Sequence, residues 1–355
     1  MTLLAFILRR LASLPLTLLI ITAMLYAIIM LAPAQERAAL YLPPRLPRVL
    51  SEETLQRILD GIIAEQGLDD PYPQQYLRWL GNLLRGDWGY SPVLNSAVLP
   101  ALVRRTAVTV ELTLYSIMLL IPLGLISGVI AGWREAGRAD RRFRAVAFVA
   151  TSIPPFILGL VLLSIFYVGL RWFPPGRTGI LELSLQRFTT FQTYTGLLTI
   201  DGLLNRRPDV TIDALRHLVL PVFALSLVHW ATLGRVTRAA LIDVKHRGYI
   251  TAANARGLRP RSIIWRHAFR NALAPALTSS MLSAASLVTG VFVIEVVFNF
   301  KGLSELIVRG MGFAPDAALS MGFAVYSVLL VMPLMLALDL LRAILDPHFG
   351  ERERA

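Results

Sequence analysis

GYITAANARGLRPRSIIWRHAFRNALAP, residues 248 to 275, is a polar island between two long apolar segments, and its reading decides how the rest of the chain is laid out. Ala252, Ala253 and Ala255 favour a first short helix from about Tyr249 to Arg256, and Gly257 stops it. Pro260 stands where a helix likes to begin. From there Ile263, Ile264, Trp265, Ala268, Phe269, Ala272 and Leu273 recur at roughly helical spacing through Pro275 into the next apolar segment. Two short helices at an angle make a compact knob. Its small side chains let another protein approach closely, while Arg256, Arg259, Arg261, Arg266 and Arg270 surround it with positive charge. Such a knob suits docking in a groove of a partner, and a basic loop resting on anionic headgroups has the same composition.

Working outward, the chain has 355 residues, of which 55% are hydrophobic and 16% charged, with a mean hydropathy of +0.60. That is too apolar for an ordinary soluble domain and identifies a membrane protein. The absence of cysteine excludes a disulfide framework and thiolate metal or nucleophile chemistry. The net charge of +12 is not gathered on a soluble domain, so no nucleic-acid partner is expected. Six segments, near 11 to 32, 108 to 132, 145 to 170, 218 to 239, 273 to 298 and 318 to 342, are long enough to cross a hydrocarbon core that needs about 20 apolar residues. With no water inside, all six are expected to be helices, giving an all-α polytopic membrane protein. Pro15, Pro122, Pro154, Pro155, Pro221 and Pro333 predict kinks or breaks. No small-residue cleavage site follows the first apolar run, so 11 to 31 reads as an uncleaved span.

Counting Lys and Arg sets the orientation. With the N-terminus inside, the cytoplasmic pieces hold 19 of the 35 basic residues in about 72 residues, roughly twice the density of the outside loops. Both termini and the 248 to 275 knob are therefore expected in the cytoplasm. The domain reading follows: 1 to 32 is an N-terminal segment and first span. An extracytoplasmic loop with amphipathic helices occupies 33 to 107, with a helical patch near Glu52 to Gln66 and another in GLDDPYPQQYLRWLGNLLRGDWGYS, residues 67 to 91. Residues 108 to 345 form the transmembrane core, with a cytoplasmic loop at 245 to 275, and 346 to 355 are a cytoplasmic tail. The second patch also suits an interfacial helix on the outer leaflet. The second outside loop, 171 to 216, has no periodicity.

Small or polar residues within apolar helices mark candidate lining of a pathway: Ser152, Pro154, Ser226, His229, Ser286, Thr289 and Glu295. His229 also fits a hydrogen bond to a neighbouring helix, and Asp339 a pairing with Arg342 at helical spacing. No phosphate-cradling G-x-x-x-x-G-K-[ST] loop occurs, nor a metal-ligating His/carboxylate pattern or a nucleophile elbow, so neither catalytic nor metal-binding residues are assigned.

The knob resembles the coupling loop of membrane subunits of bacterial ABC importers, in which Glu-Ala-Ala, three residues and Gly recur. Ala252, Ala253 and Gly257 match, while Thr251 stands where Glu is common. It is similar above all to the dipeptide/oligopeptide branch, through Gly257-Leu258, Trp265 to Ala268, Arg270 to Ala272 and Pro275. Leu68-Asp69, Pro71, Gln75-Tyr76, Trp79-Leu80 and Gly86 to Ser91 carry the same resemblance in the first outside loop. It implies that Thr251, Ala252, Ala253, Asn254, Ala255, Arg256, Gly257, Leu258 and Arg259 meet an ATPase. It further implies a second permease subunit, two cytoplasmic ATPase subunits that bind ATP and Mg, an extracytoplasmic solute-binding protein, and residence in a bacterial plasma membrane bilayer. Di- or oligopeptides lead as solute, with nickel complexes, glutathione-like peptides and oligosaccharides open. An ion-coupled secondary transporter and a structural membrane subunit are the readings from other classes, and Glu111, Glu295 and Asp339, all near span ends, give ion coupling little to work with.

Overall fold

The computed structural model describes residues 3–39, 41–42, 51–179, 191–312 and 316–345, without the side chains of residues 3–10, 274, 289, 334, 338, 339 and 341–345. The expected Asp339 to Arg342 pairing and the tail at 346 to 355 therefore lie outside the described residues. The chain forms two compact units, one of 107–301 with 334–355 and one of 2–106 with 302–333.

In the second of these units, α1 (Leu3–Ile29) is followed by α2 (Ala34–Ala39), α3 (Glu52–Gln66) and α4 (Tyr72–Leu84). The start of α3 is fixed by Ser51, whose side chain accepts from the Thr54 amide, with Glu52 and Glu53 in the first turn. Its end is fixed by Gly67 in the left-handed region at φ 59°. The amphipathic α4 packs on α1 through an aromatic cluster of Tyr26, Tyr72, Tyr76 and Trp79, with Tyr72 Oη donating to the Ala23 carbonyl at 2.6 Å. Arg37 is the hub beneath it: its buried guanidinium donates to the carbonyls of Ala32 and Leu68 and to Gln75 Oε1. The all-α expectation has one exception here, a two-residue antiparallel ladder in which Tyr90 faces Ala97 and Ser91 faces Ser96 (β1, Tyr90–Ser91; β2, Ser96–Ala97). Ser91 Oγ donates to Asp316 Oδ2 at 2.5 Å, while Asp316 Oδ1 accepts from the Leu319 amide and so caps the last long helix. This unit also holds α13 (Leu303–Gly310) and the first part of α14 (Ala317–Leu345).

The other unit begins within α5 (Val98–Trp133) and continues through α6 (Arg138–Ser152), α7 (Pro155–Leu162) with a π-helical continuation at Leu163–Gly169, α8 (Leu198–Leu204) and α9 (Pro208–Lys245). After α9 come α10 (Gly248–Ala255), α11 (Pro260–Ser262), a π stretch at Ile263–Ala268, and α12 (Phe269–Val297). Its core joins Leu112 and Leu120 of α5, Leu225 and Leu233 of α9, and Leu287, Val291, Ile294 and Phe298 on or just beyond α12. Gly124, Gly128 and Gly132 recur every fourth residue of α5, where α9 comes so close that a methyl group on Gly128 would sit 2.6 Å from the Gly234 carbonyl oxygen.

Among the described residues, four helices are long and apolar enough to cross a membrane: Leu11–Ile29, Val98–Trp133, Pro208–Lys245 and Ala317–Ala337. Two more spans arise only if bent pairs count as one, Arg138–Ser152 with Pro155–Gly169 at 98° and Pro275–Val288 with Gly290–Val297 at 49°. The expected six spans thus stand as four to six. The second and fourth helices start ten residues before the expected spans: α5 grows directly off the hairpin, and Pro208 opens α9 at its first turn. Of the prolines expected to distort spans, the 154/155 pair breaks a helix, whereas Pro15, Pro122, Pro221 and Pro333 lie inside continuous ones.

In the segment without periodicity, 171 to 216, the described residues 171–179 and 191–207 are held by buried charge. Glu111 of α5 accepts from Arg177 Nε and Nη2 and from the Thr199 amide and hydroxyl, and Asp201 accepts from the amides of Thr195 and Gly196. Glu111→Gln places an amide N–H among these donors. It is expected to loosen the loop by about 2 kcal/mol, read as faster protease cleavage between 171 and 207 at unchanged overall melting.

Candidate functional site

The knob forms as two helical pieces around Gly257. Arg247, in extended conformation, precedes α10, and Ile250 and Ala253, one turn apart, are buried with Val129, Leu241, Ile263, Ala268 and Ala272. That anchoring leaves Thr251, Ala252, Asn254, Ala255, Arg256, Leu258 and Arg259 exposed. Ala253 faces inward, because the i, i+3 spacing from Ile250 carries it onto the chain's own core, while Ala252 and Ala255 are exposed. Gly257 has φ +71°, its amide donates to the Asn254 carbonyl at 2.9 Å, and the Leu258 amide donates to the Ala253 carbonyl at 3.3 Å. This is a left-handed helix stop that a side chain would strain. Pro260 then opens α11, which runs through the π stretch into α12, so the knob is covalently rigid with a long apolar helix. Arg256, Arg259, Arg261, Arg266 and Arg270 are all exposed, and Trp265 packs edge-on against Phe269.

The turn between α5 and α6 braces the end of α9 that leads into the knob. Buried Asp140 accepts Arg238 Nε at 2.5 Å and Nη2 at 2.9 Å, and also the Ala136 amide at 3.0 Å. Glu135 accepts from His246 at 3.2 Å and lies 3.5 Å from Lys245 Nζ. The hydrogen bond from His246, with Lys245 alongside, holds the Glu135 carboxyl below the usual carboxylate range.

Of the residues expected along a pathway, some are exposed and others bond to neighbouring helices. Ser152, beside the 98° bend, is exposed and turns its hydroxyl back to the Phe148 carbonyl, and Pro154 supplies the extended residue before α7. Ser226 is buried and donates to the Ser116 carbonyl across the α5/α9 contact. Glu295 is fully buried and accepts from Thr109 Oγ1. His229 Nδ1 and Ser286 Oγ meet at 3.3 Å between α9 and α12, with Ser286 exposed. The Thr289 side chain lies outside the described residues.

Sequence reasoning missed Asp140, Arg238 and the glycine row of α5. Two of these left a trace: Asp140 is the single acid in RADRRFR, residues 138 to 144, and Gly124, Gly128 and Gly132 have a spacing of four.

Residues 121–351 match the family model described as binding-protein-dependent transport system inner membrane component. The chain is 30% identical over 345 residues to the di/tripeptide transport system permease protein DppB of Pseudomonas aeruginosa, covering 97% of this chain and 98% of that one. It is 32% identical over 346 residues to the oligopeptide transport system permease protein AppB of Bacillus subtilis, covering 97% and 98%.

Proposed function

The chain belongs to the family of binding-protein-dependent transport system inner membrane components, and on that premise we propose that it is one of two permease subunits of an ATP-driven importer of di- or oligopeptides. The observation that carries the coupling role is α10: a short helix anchored from within by Ile250 and Ala253, with Thr251, Ala252, Asn254, Ala255 and Arg256 presented outward. Two partner ATPases, which bind ATP and Mg, receive this face in a groove. A related permease completes the pathway, and an extracytoplasmic binding protein delivers the solute. Both termini lie in the cytoplasm.

Mechanically, closure of the ATPases on ATP moves α10, and the unbroken run from α11 into α12 carries that movement into the membrane. ATP drives the change only because the closed ATPase arrangement binds it better, since equal affinity for both arrangements shifts no population. His229 and Ser286 are the polar pair within this chain that a passing peptide would meet.

The test is uptake of labelled di- and oligopeptides by cells lacking this chain and complemented with variants. Ala255→Trp is expected to lower uptake at least about thirtyfold, the scale of losing an interface contact of about 2 kcal/mol. Because Ala255 is exposed, the protein should remain in the membrane at its normal level. Gly257→Pro, which forces φ to about −65° at a residue needing +71°, should act likewise. Undiminished uptake with both variants removes the coupling role from α10. Uptake abolished by an ionophore at constant ATP removes the ATP-driven reading.

A further inference from the structure

The α5/α6 turn and the start of α6 carry Arg134, Arg138, Arg141 and Arg142, all exposed, and none is in an ion pair among the described residues. Of the two acids set among them, Glu135 is engaged by His246 and Lys245, and Asp140 points the other way. It is buried and held by Arg238, with Arg144 3.6 Å from its Oδ1. That inward side of α6 runs antiparallel along α9, Asp140 meeting Arg238 while the Phe143 ring lies against Gly234 and packs edge-on to Trp230. The outward side changes character along its length. After Arg138, Arg141 and Arg142 come Val146, Phe148 and Val149, of which Phe148 is 71% exposed.

We propose that this outward face of α6 is a binding site for anionic phospholipid, the arginines taking the headgroup phosphates and Phe148 and Val149 lying against the acyl chains. Three features favour a lipid over a soluble acid or an acidic protein. First, the step from cation to hydrocarbon takes about 10 residues, or roughly 15 Å of helix, which is the scale on which a bilayer passes from headgroups into its core. Second, the exposed apolar patch belongs to a segment that, taken with Pro155–Gly169 across a 98° bend, is apolar enough to span a membrane. Third, a guanidinium offers a phosphate two parallel N–H donors, and these arginines have no carboxylate competing for them. The two anchors at Asp140 and Phe143 hold the face rigid, so little ordering opposes binding.

The full-length chain with its co-purified subunits would be placed in nanodiscs of phosphatidylcholine alone or with one quarter phosphatidylglycerol, then extracted mildly and its retained lipids counted by mass. The wild type is expected to retain phosphatidylglycerol in preference to phosphatidylcholine. In R138Q/R141Q/R142Q, which leaves Asp140 and Arg238 intact, that preference should fall about fivefold for each arginine removed. An equal preference in wild type and variant overturns the proposal, as does full displacement of the retained lipid by soluble inorganic phosphate. Since the chain has no cysteine, Arg141→Cys creates a single attachment point for a photo-cross-linker. Adducts to lipid support the site, and adducts to a partner polypeptide assign the face to that partner instead.

Discussion

Gly128→Leu is expected to remove more than about 3 kcal/mol of stability, at the upper end for overpacking, and to leave little folded protein in detergent extracts. A methyl at this position would lie 2.6 Å from the Gly234 carbonyl oxygen and 2.7 Å from Thr237 Cβ. Backbone on the facing helix cannot rotate away as a side chain can, so the two helices must part. Parting them also opens the hydrogen bond from Ser226 Oγ to the Ser116 carbonyl, which bridges the same pair. The neighbouring glycines grade the effect. Gly132→Ala should resemble Gly128→Ala, because its methyl would meet the Arg238 carbonyl oxygen at 2.8 Å, whereas Gly124→Ala meets side-chain atoms of Leu233 rather than backbone and should be milder. Melting followed by fluorescence-detected size exclusion reads the series. A Gly128→Leu protein that elutes as a sharp peak with an unshifted midpoint would contradict the packing described.

Asp140→Ala should lower stability by about 3 kcal/mol, because it leaves the Arg238 guanidinium without its carboxylate and the Ala136 amide without an acceptor. The cost stays at the low end for a broken ion pair because the Arg238 side chain is 23% exposed and reaches water. The double variant Asp140→Leu with Arg238→Met is the informative one. Replacing both charges by apolar groups of similar size often restores most of the loss, so the double variant should be more stable than Asp140→Ala. If the pair also holds the α5/α6 turn against the end of α9, peptide uptake by the double variant should stay below wild type even at restored stability. In the cycle completed by the single variants Asp140→Leu and Arg238→Met, effects that simply add would show that the contact contributes nothing.

The knob was legible because its determinants are local. An alanine run, a glycine stop and a proline start specify α10 and α11 within a dozen residues, and the structure ends α10 at Ala255, with Arg256 as its cap and Gly257 left-handed. The patch at Glu52–Gln66 was equally readable, since Ser51, two glutamates and Gly67 mark its two ends. The inward turn of Ala253 was not, because the sequence shows a small residue without showing which side of the helix finds Val129 and Leu241. Ser226 and Glu295 illustrate the same limit. The partners they find, the Ser116 carbonyl and Thr109, come from a distant stretch of chain that the sequence does not point to.

Short-range properties, namely apolar run length, helix stops and motif spacing, were enough for the membrane class, the largely helical character, the two short helices around Gly257 and the family. Only the tertiary structure decided the partners of the buried charges: Glu111 finds Arg177 and Thr199, 66 and 88 residues away, and Asp140 finds Arg238, 98 residues away. The same holds for the close approach at Gly128. The physical reason is common to both. In an apolar interior a carboxylate must be satisfied and two backbones can meet only where side chains are missing, but which chain segment answers either requirement is set by how the helices pack.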